Sequence, residues 1–360
     1  MKSAASIEER AVAGYAPQRK ARCRAGTMEK RRLDVILVTG GAGFIGSNLV
    51  AALLEADSGP VTVCDWLGDD QKWRNLAHHL IDDVVAPEAL PGWLPHQNLS
   101  AVLHMGAISS TTVSDADAVV RQNFQTSRLL WEYCADRQIP MVYASSAATY
   151  GDGGAGFNDD DSADALAKLK PLNLYGWSKH WFDRWAVDQR DRGLPQPPFW
   201  AGLKFFNVYG PNEYHKDDMQ SIVAKNHGAV AAGDTVKLFQ SHRPDFEHGG
   251  QLRDFVYVAD CVDVALWLLR AQPQSGLYNV GTGQARSFRA LVEALAAACD
   301  QPPRIDYVPM PEALRPRYQY FTEARMDRLR AVGYNQPFQS IEDGVGDYVA
   351  RFLSQSDPYR

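Results

Sequence analysis

Tyr175 and Lys179 stand four residues apart in YGWSK, so on a helix they share one face. A phenol, with an ordinary pKa near about 10, is a poor base at neutral pH. A neighbouring ammonium favours the phenolate and lowers that value. Ser146, in YASSAATYG at residues 143–151, adds a hydroxyl able to donate to an oxygen that is gaining carbonyl character. A tyrosine–lysine pair at this spacing is common by chance and in isolation reads as surface helix. Its context is VILVTGGAGFIG at residues 35–46, an apolar, β-branched run followed by Gly40, Gly43 and Gly46. Strand, glycines and helix in that order form a nucleotide-binding turn. The first glycine permits the turn, the second admits backbone amides to a pyrophosphate, and the third lets helix pack on strand. The amides and dipole at the helix start favour the diphosphate. Beside a bound dinucleotide, Tyr175 can take the proton of an alcohol while hydride leaves the same carbon for nicotinamide.

Such residues require an α/β frame, a Rossmann-type doubly wound parallel sheet with a smaller C-terminal α/β substrate domain. The first helix is expected over about residues 43–56, packing through Leu49, Val50, Leu53 and Leu54. Residues 61–64 form the second strand, with Asp65 at its end. An acid about 20 positions beyond the glycines bonds the adenosine ribose and favours NAD, whereas Lys72 can meet a 2′-phosphate and leaves NADP open; Asp65 can also simply start a loop. The strand at 101–105 leads into Gly106, Ala107 and the hydroxyls of Ser109, Ser110, Thr111 and Thr112, either a cofactor turn or a helix cap. Asn123 either caps a loop or faces water. A strand at 141–145 precedes residues 152–170, which read as an exposed loop without chemistry.

In the second half, Leu203, Phe205 and Phe206 lead to the NVYGP turn at 207–211. Lys216 is a second acid/base group or a solvated charge, and the residues alone favour the latter. Arg253, in RDFVYVAD, has a fork suited to a diphosphate; an ion pair with Asp254 or Asp260 competes. YNVGTG at 278–283 is a strand and glycine turn, and residues 288–299 form an amphipathic helix. Arg317, Tyr318 and Gln319 present a nucleotide contact or a surface loop. The expected division is an extension at 1–32, a dinucleotide domain at 33–205 with returning segments near 253–283, and a substrate domain from 206–252 and 284–360.

The length of 360 residues allows one large or two joined domains. A net charge of −6 gives no reason to expect nucleic acid or an anionic membrane as partner. Five scattered cysteines without metal-ligand spacing fit reduced thiols in a cytoplasmic protein, and no apolar run is long enough to span a bilayer. Residues 1–32 are polar and basic, with Arg19, Lys20, Arg22 and Arg24. They read as a disordered tail or, ahead of Met28, as a misassigned extension.

TGGAGFIG, YASSAATYG, YGWSK, FFNVYGP, RDFVYVAD and YNVGTG occur in this order over residues 35–350. Together they resemble the extended short-chain dehydrogenase/reductases that act on nucleotide sugars. HMGAISSTT, KPLNLYGWSK, FFNVYGPNEYHK and RYQYFTEA narrow the likeness to the epimerases of an ADP-linked heptose. The resemblance implies Tyr175 as the first acid/base residue, Lys179 as its cofactor-binding partner, Ser146 as the polarising hydroxyl and Lys216 as the second proton acceptor. It places Phe44, Ile45, Asp65, Trp66, Lys72, Asn123 and Val208 at cofactor positions, together with the turn of Met105, Gly106, Ala107 and Ser109. Asn207, Asp218, Lys225, Phe239, Gln240, Ser241, His242, Arg253 and Tyr318 fall at substrate positions. It further implies tightly held NADP, with NAD allowed by Asp65, and a homo-oligomer, a pentamer in the best-known case. The product would feed the inner core of lipopolysaccharide. Met105, Ile108, Trp66, the Asp217-Asp218 pair and a longer stretch at 241–252 depart from the family pattern. A UDP-hexose 4-epimerase and a non-catalytic cofactor sensor are the alternatives. A 4,6-dehydratase fits less well, because Ala147 and Ala148 follow Ser146 where an acid/base pair would be needed.

Overall fold

Apolar runs without alternation make the central strands of a parallel sheet, because both faces are covered by helices. A computed structural model describes residues 34–69, 71–312, 314–315 and 318–360. The expectations for the N-terminal extension, for Cys23 and for Arg317 lie outside the described residues. Twelve strands are formed among those described: β1 Val35–Thr39, β2 Val61–Cys64, β3 Asp83–Val85, β4 Leu99–His104, β5 Met141–Ser146, β6 Trp200–Phe205, β7 Asn207–Tyr209, β8 Val236–Phe239, β9 Leu252–Tyr257, β10 Gly276–Val280, β11 Ala285–Ser287 and β12 Ile305–Val308. Seven of them form one parallel sheet in the order β10-β6-β5-β4-β1-β2-β3. The chain moves outward from β1 through β2 and β3, then returns to β4 on the other side of β1. Ligands bind at such a switch point, beyond the carboxyl ends of the strands. Register brings Thr39 of β1 opposite His104 of β4, and His104 opposite Tyr143 of β5.

Successive strand residues point to opposite faces, and the core divides accordingly. On one face Val38, Val63, Leu103 and Val142 pack with Leu49, Val50 and Leu53 of α1 (Phe44–Glu55) and with helix Val258–Ala271. On the other, Leu37, Val102, Met141, Tyr143 and Trp200 meet Leu130 and Trp131 of α2 (Thr126–Arg137) and Phe182 and Ala186 of α3 (Leu174–Asp191). Each fully buried leucine or phenylalanine contributes about 1.5–3 kcal/mol. Leu54, expected on the packing face of α1, is only partly buried.

Two smaller sheets, β11-β9-β7 and β12-β8, share a third core with helices Ile222–Ala231, Phe288–Ala298 and Ile341–Tyr348. The returning segment is thus split. β10 completes the large sheet, whereas β9, which carries Arg253, pairs with β7 and β11.

Residues 152–170 are not simply an exposed loop. Phe157, Asp159 and Asp161 are buried, and helix Ala163–Ala167 lies within the stretch. Asp161 pairs with Arg190 at 2.9 Å and Arg328 at 2.7 Å, while Asp159 accepts the Asn279 amide at 2.8 Å. Buried ion pairs carry no apolar periodicity, which is why the sequence pattern hides them.

Candidate active site

The glycine turn joins β1 to α1. Gly40 has φ of +65°, a conformation open to glycine, and a Cβ there would lie 2.6 Å from the Gly106 nitrogen. A Cβ on Gly46 would lie 2.1 Å from the Gly40 carbonyl. The two turns after β1 and β4 are therefore pressed together, and the helix sits directly on the strand end. At Gly43, which starts α1 without a side-chain cap, an added Cβ would meet only the Gly40 carbonyl at 3.1 Å. The amides of this helix start are left to an anion rather than to a capping side chain.

Asp65 closes the turn from the side. Its carboxylate accepts the Ala42 amide at 2.9 Å and the Lys72 ammonium at 2.9 Å. Trp66 is exposed and donates its indole N–H to Glu88 at 2.8 Å. Asn123 is fully buried and caps a loop, taking the Ile108 amide at 2.8 Å and donating to the Ile108 carbonyl at 3.0 Å and to Ser178 at 3.0 Å. This fixes the Met105, Gly106, Ala107 and Ser109 turn, whose Gly106 amide also donates to Thr39 Oγ1 at 3.2 Å. The following short helix is capped by Asp115, not by the Ser109–Thr112 hydroxyls. Ile45, Met105 and Val208 are partly buried against the core.

Sequence reasoning did not single out His104, yet it links the turn after β4 to the helix that carries Tyr175 and Lys179. Thr39 Oγ1, which accepts from the Gly106 amide, meets His104 Nδ1 at 2.6 Å. Ser127 Oγ donates to the Asn123 carbonyl at 2.6 Å and so accepts from His104 Nε2 at 2.8 Å. The partners thereby select the neutral tautomer protonated at Nε2. Burial, helped by the Lys179 charge, draws the His104 pKa down to about 3.

Tyr175 and Lys179 lie in the first turns of α3, whose Asn173 side chain accepts the Gly176 amide at 2.8 Å. A Cβ on Gly176 would lie 2.7 Å from the Ala148 carbonyl, so the helix start packs directly on the turn that follows Ser146. Burial raises the Tyr175 pKa, and the Ser146 hydroxyl beside it opposes that rise by favouring the phenolate. Lys179 is 3% exposed, and its ammonium forms no hydrogen bond among the described residues. Desolvation draws its pKa down to about 8, with Asp183 opposing. A buried ammonium, an uncapped helix start and two glycine turns in contact fit a dinucleotide.

Asp183 and Lys204 lie beneath this pair and were also missed. Fully buried Asp183 accepts Tyr143 at 3.0 Å, Ser145 at 2.7 Å and the Lys204 ammonium at 3.2 Å; Lys204 also donates to Thr149 at 2.8 Å. The available signal was a charge in each of two apolar settings, Lys204 in a core strand and Asp183 one turn beyond Lys179.

Lys216 belongs to a short helical turn, Tyr214–Met219, in which Asp217 has φ of +44°. Its ammonium lies over the Phe44 ring at 5.0 Å, and burial lowers its pKa against the pull of Glu213. The residue left as a solvated charge by the sequence pattern thus meets the first residue of α1.

Of the substrate positions, Arg253, Phe239 and Tyr318 converge. The Arg253 guanidinium lies over Tyr318 at 5.3 Å, and Tyr318 meets Phe239 edge-on at 6.2 Å. Arg253 donates to the Leu252 and Gln319 carbonyls rather than pairing with Asp254 or Asp260, whose carboxylates accept backbone amides elsewhere. Tyr320 was not foreseen; it bonds His242 Nδ1 at 2.8 Å and lies near Ser241 at 3.4 Å. The Gln240 amide is used on the Tyr307 carbonyl, and Lys225 donates to the Asp218 carbonyl. Asn207 and Asp218 are exposed. Among the described residues no group of three or more His, Cys, Asp or Glu could hold a metal, and no helix is long and apolar enough to cross a membrane.

The NAD dependent epimerase/dehydratase family model matches residues 36–281. An ADP-L-glycero-D-manno-heptose-6-epimerase of Nitratidesulfovibrio vulgaris strain DP4 is 47% identical over 328 residues, 90% of this chain and 99% of that protein. One of Fusobacterium nucleatum is 45% identical, covering 90% of this chain and all of its own length (100%). Among solved structures, the Helicobacter pylori ADP-L-glycero-D-manno-heptose-6-epimerase aligns with a TM-score of 0.73 and 28% identity, over 89% of this chain and 96% of that one. The Thermus thermophilus UDP-glucose 4-epimerase, in complex with NAD, aligns with a TM-score of 0.68 and 28% identity, over 88% and 97%. Glycine turn, tyrosine–lysine helix and seven-stranded parallel sheet all lie within this likeness: the chain belongs to the NAD dependent epimerase/dehydratase family and uses a nicotinamide cofactor.

Proposed function

We propose that this chain inverts C6 of ADP-D-glycero-D-manno-heptose, giving the L-glycero epimer used in the inner core of lipopolysaccharide. The observation that carries the reading is the pair of half-buried Tyr175 and buried Lys179, beside Ser146 on a helix that packs against the turn after β5. The near-full-length identity to heptose epimerases supplies the substrate. When bound, the nicotinamide supplies the hydride chemistry, accepting from C6 and returning to its other face. Tyr175 takes the C6 hydroxyl proton as C6 becomes a ketone, and Ser146 donates to the same oxygen. Lys179 holds positive charge against the phenolate and binds cofactor. Lys216 handles the proton in the other orientation of C6, and burial, opposed by Glu213, draws its pKa down in the direction a proton acceptor needs. Phe239, Arg253 and Tyr318 hold the ADP end.

The cofactor in this proposal is NADP, as the resemblance implies: Lys72 offsets the Asp65 charge at 2.9 Å, so the pair sets no net negative charge against a 2′-phosphate. Mass analysis of the nucleotide released on denaturation tests this, and NAD alone would overturn it. The large sheet forms the cofactor half, and the two small sheets with their helices form most of the substrate half. A cytoplasmic homo-oligomer completes the proposal, with sedimentation of the purified protein as the check on assembly. The reaction is tested by converting Tyr175→Phe and Lys216→Met. Each should lose turnover while retaining cofactor, and full activity in either would refute the role given to it.

A further inference from the structure

Residues 357–360 lie across two parts of the molecule that the reaction needs to keep in register. The Arg360 amide donates to Asn212 Oδ1 at 2.9 Å, and the Tyr214 hydroxyl donates to the Pro358 carbonyl at 2.9 Å. The Tyr359 ring meets Tyr214 edge-on at 5.1 Å. These contacts grip the loop that carries Lys216. On the cofactor side, the Arg360 guanidinium reaches Asn48 Oδ1 at 3.3 Å and Glu55 at 2.9 Å, both on α1. His79 Nε2 bonds the Arg360 carbonyl at 3.1 Å, His78 bonds Asp357 at 3.1 Å, and Arg74 lies over the Tyr359 ring at 4.5 Å.

The loop is also stitched to α1 from inside. Buried Asn212, with φ of +71°, donates to Ser47 Oγ at 3.0 Å, and Asn48 donates to the Pro211 carbonyl at 2.9 Å. Lys216 then places its ammonium over Phe44, the first residue of that helix. The inner stitches hold the base of the loop at residues 211 and 212. Tyr214, two positions before Lys216, is held from outside by residues 358 and 359. A group that must reach one orientation of C6 tolerates little displacement, since a shift of about 1 Å can cost about a hundredfold in rate.

We propose that Tyr359 and Arg360 are positioning residues for Lys216: residues 357–360 act as a strap that holds its loop against α1. The inference rests on the acid/base role given to Lys216 above. It makes a prediction a purely structural segment would not, because Tyr175 and Lys216 serve opposite orientations of C6. Disturbing the strap harms one direction of oxidation and spares the other.

The test follows reduction of the bound nicotinamide by stopped-flow absorbance when full-length enzyme meets each C6 epimer of the ADP-heptose separately. Lys216→Met identifies the epimer whose oxidation uses Lys216. Tyr359→Ala and Arg360→Ala slow that epimer by about tenfold or more and leave the other within about twofold. Tyr359→Phe, which keeps the ring contacts, stays at the wild-type rate. Equal slowing of both epimers, or slowing of neither, overturns the strap's role. If Lys216→Met itself slows neither epimer, the assignment of Lys216 fails first and the strap proposal falls with it. Should Tyr359→Ala not fold, Arg360→Ala alone decides.

Discussion

Four-residue spacing alone does not make Tyr175 and Lys179 reactive; burial and neighbours do. Burial opposes the charged form of both groups, lifting the phenol and drawing the ammonium down to about 8. The opposing influences lie close by, Ser146 for the phenol and Asp183 for the ammonium. Removing the phenolic oxygen deletes the proposed proton acceptor without touching this frame. Tyr175→Phe is therefore expected to reduce turnover by about 10²- to 10⁴-fold, the usual range for a general base, with cofactor still co-purifying. A steady-state assay and the absorbance of the purified protein check both halves. The pair was legible in the sequence because its geometry is local. Lys216 came only through the family resemblance and not from residue spacing, because its surroundings, Phe44 and Glu213, come from the start of α1 and from a turn whose shape depends on Asp217 at positive φ.

At the scale of elements, the catalytic helix is placed by close backbone approach at one end and by a polar chain along its side. Gly176 lets α3 start against the Ala148 carbonyl. Gly176→Ala should push Tyr175 away from Ser146 and cost about tenfold or more in turnover while leaving far-UV circular dichroism unchanged; an unaltered rate would show that the contact yields freely. The Thr39–His104–Ser127–Asn123 chain ties the turn after β4 to α3. His104 is neutral when folded, with its pKa at about 3 against 6.5 in the unfolded chain. Between those values the unfolded chain binds a proton that the folded chain does not, so stability falls as pH drops below 6.5. His104→Gln should flatten that fall by about 1.4 kcal/mol per pH unit, measured by urea unfolding between about pH 4.5 and 6. His180, drawn down to about 4, keeps its own share of the slope in the variant. The strands and helices were readable from apolar runs and glycines, but this chain was not. Its members are single polar residues on β1, β4, α2 and the π-helical turn Val120–Gln125 that leads into α2, and only pairing of those elements brings them together.

For the molecule as a whole, the doubly wound parallel sheet followed from alternating strands and helices, and the comparisons agree with that architecture, while the strand order came only with the structure. The substrate half was less legible. Phe239, Arg253 and Tyr318 come from β8, β9 and the stretch beyond β12, and their convergence depends on two small sheets with no marked periodicity. The buried Asp159 and Asp161 pairs, and the strap at 357–360, show the same limit. Long-range polar contacts hold the two halves in register without leaving a pattern in the sequence. In the proposed reaction hydride leaves and returns within one bound complex, so cofactor retention and epimerisation are a single claim. The direct measurement is proton NMR of the purified protein with ADP-D-glycero-D-manno-heptose and no added cofactor, with Tyr175→Phe as control. Signals of the L-glycero epimer should grow with the wild-type protein and stay absent with the variant. No change with the wild type, even after NADP or NAD is supplied, would contradict the assignment and turn attention to UDP-linked hexoses.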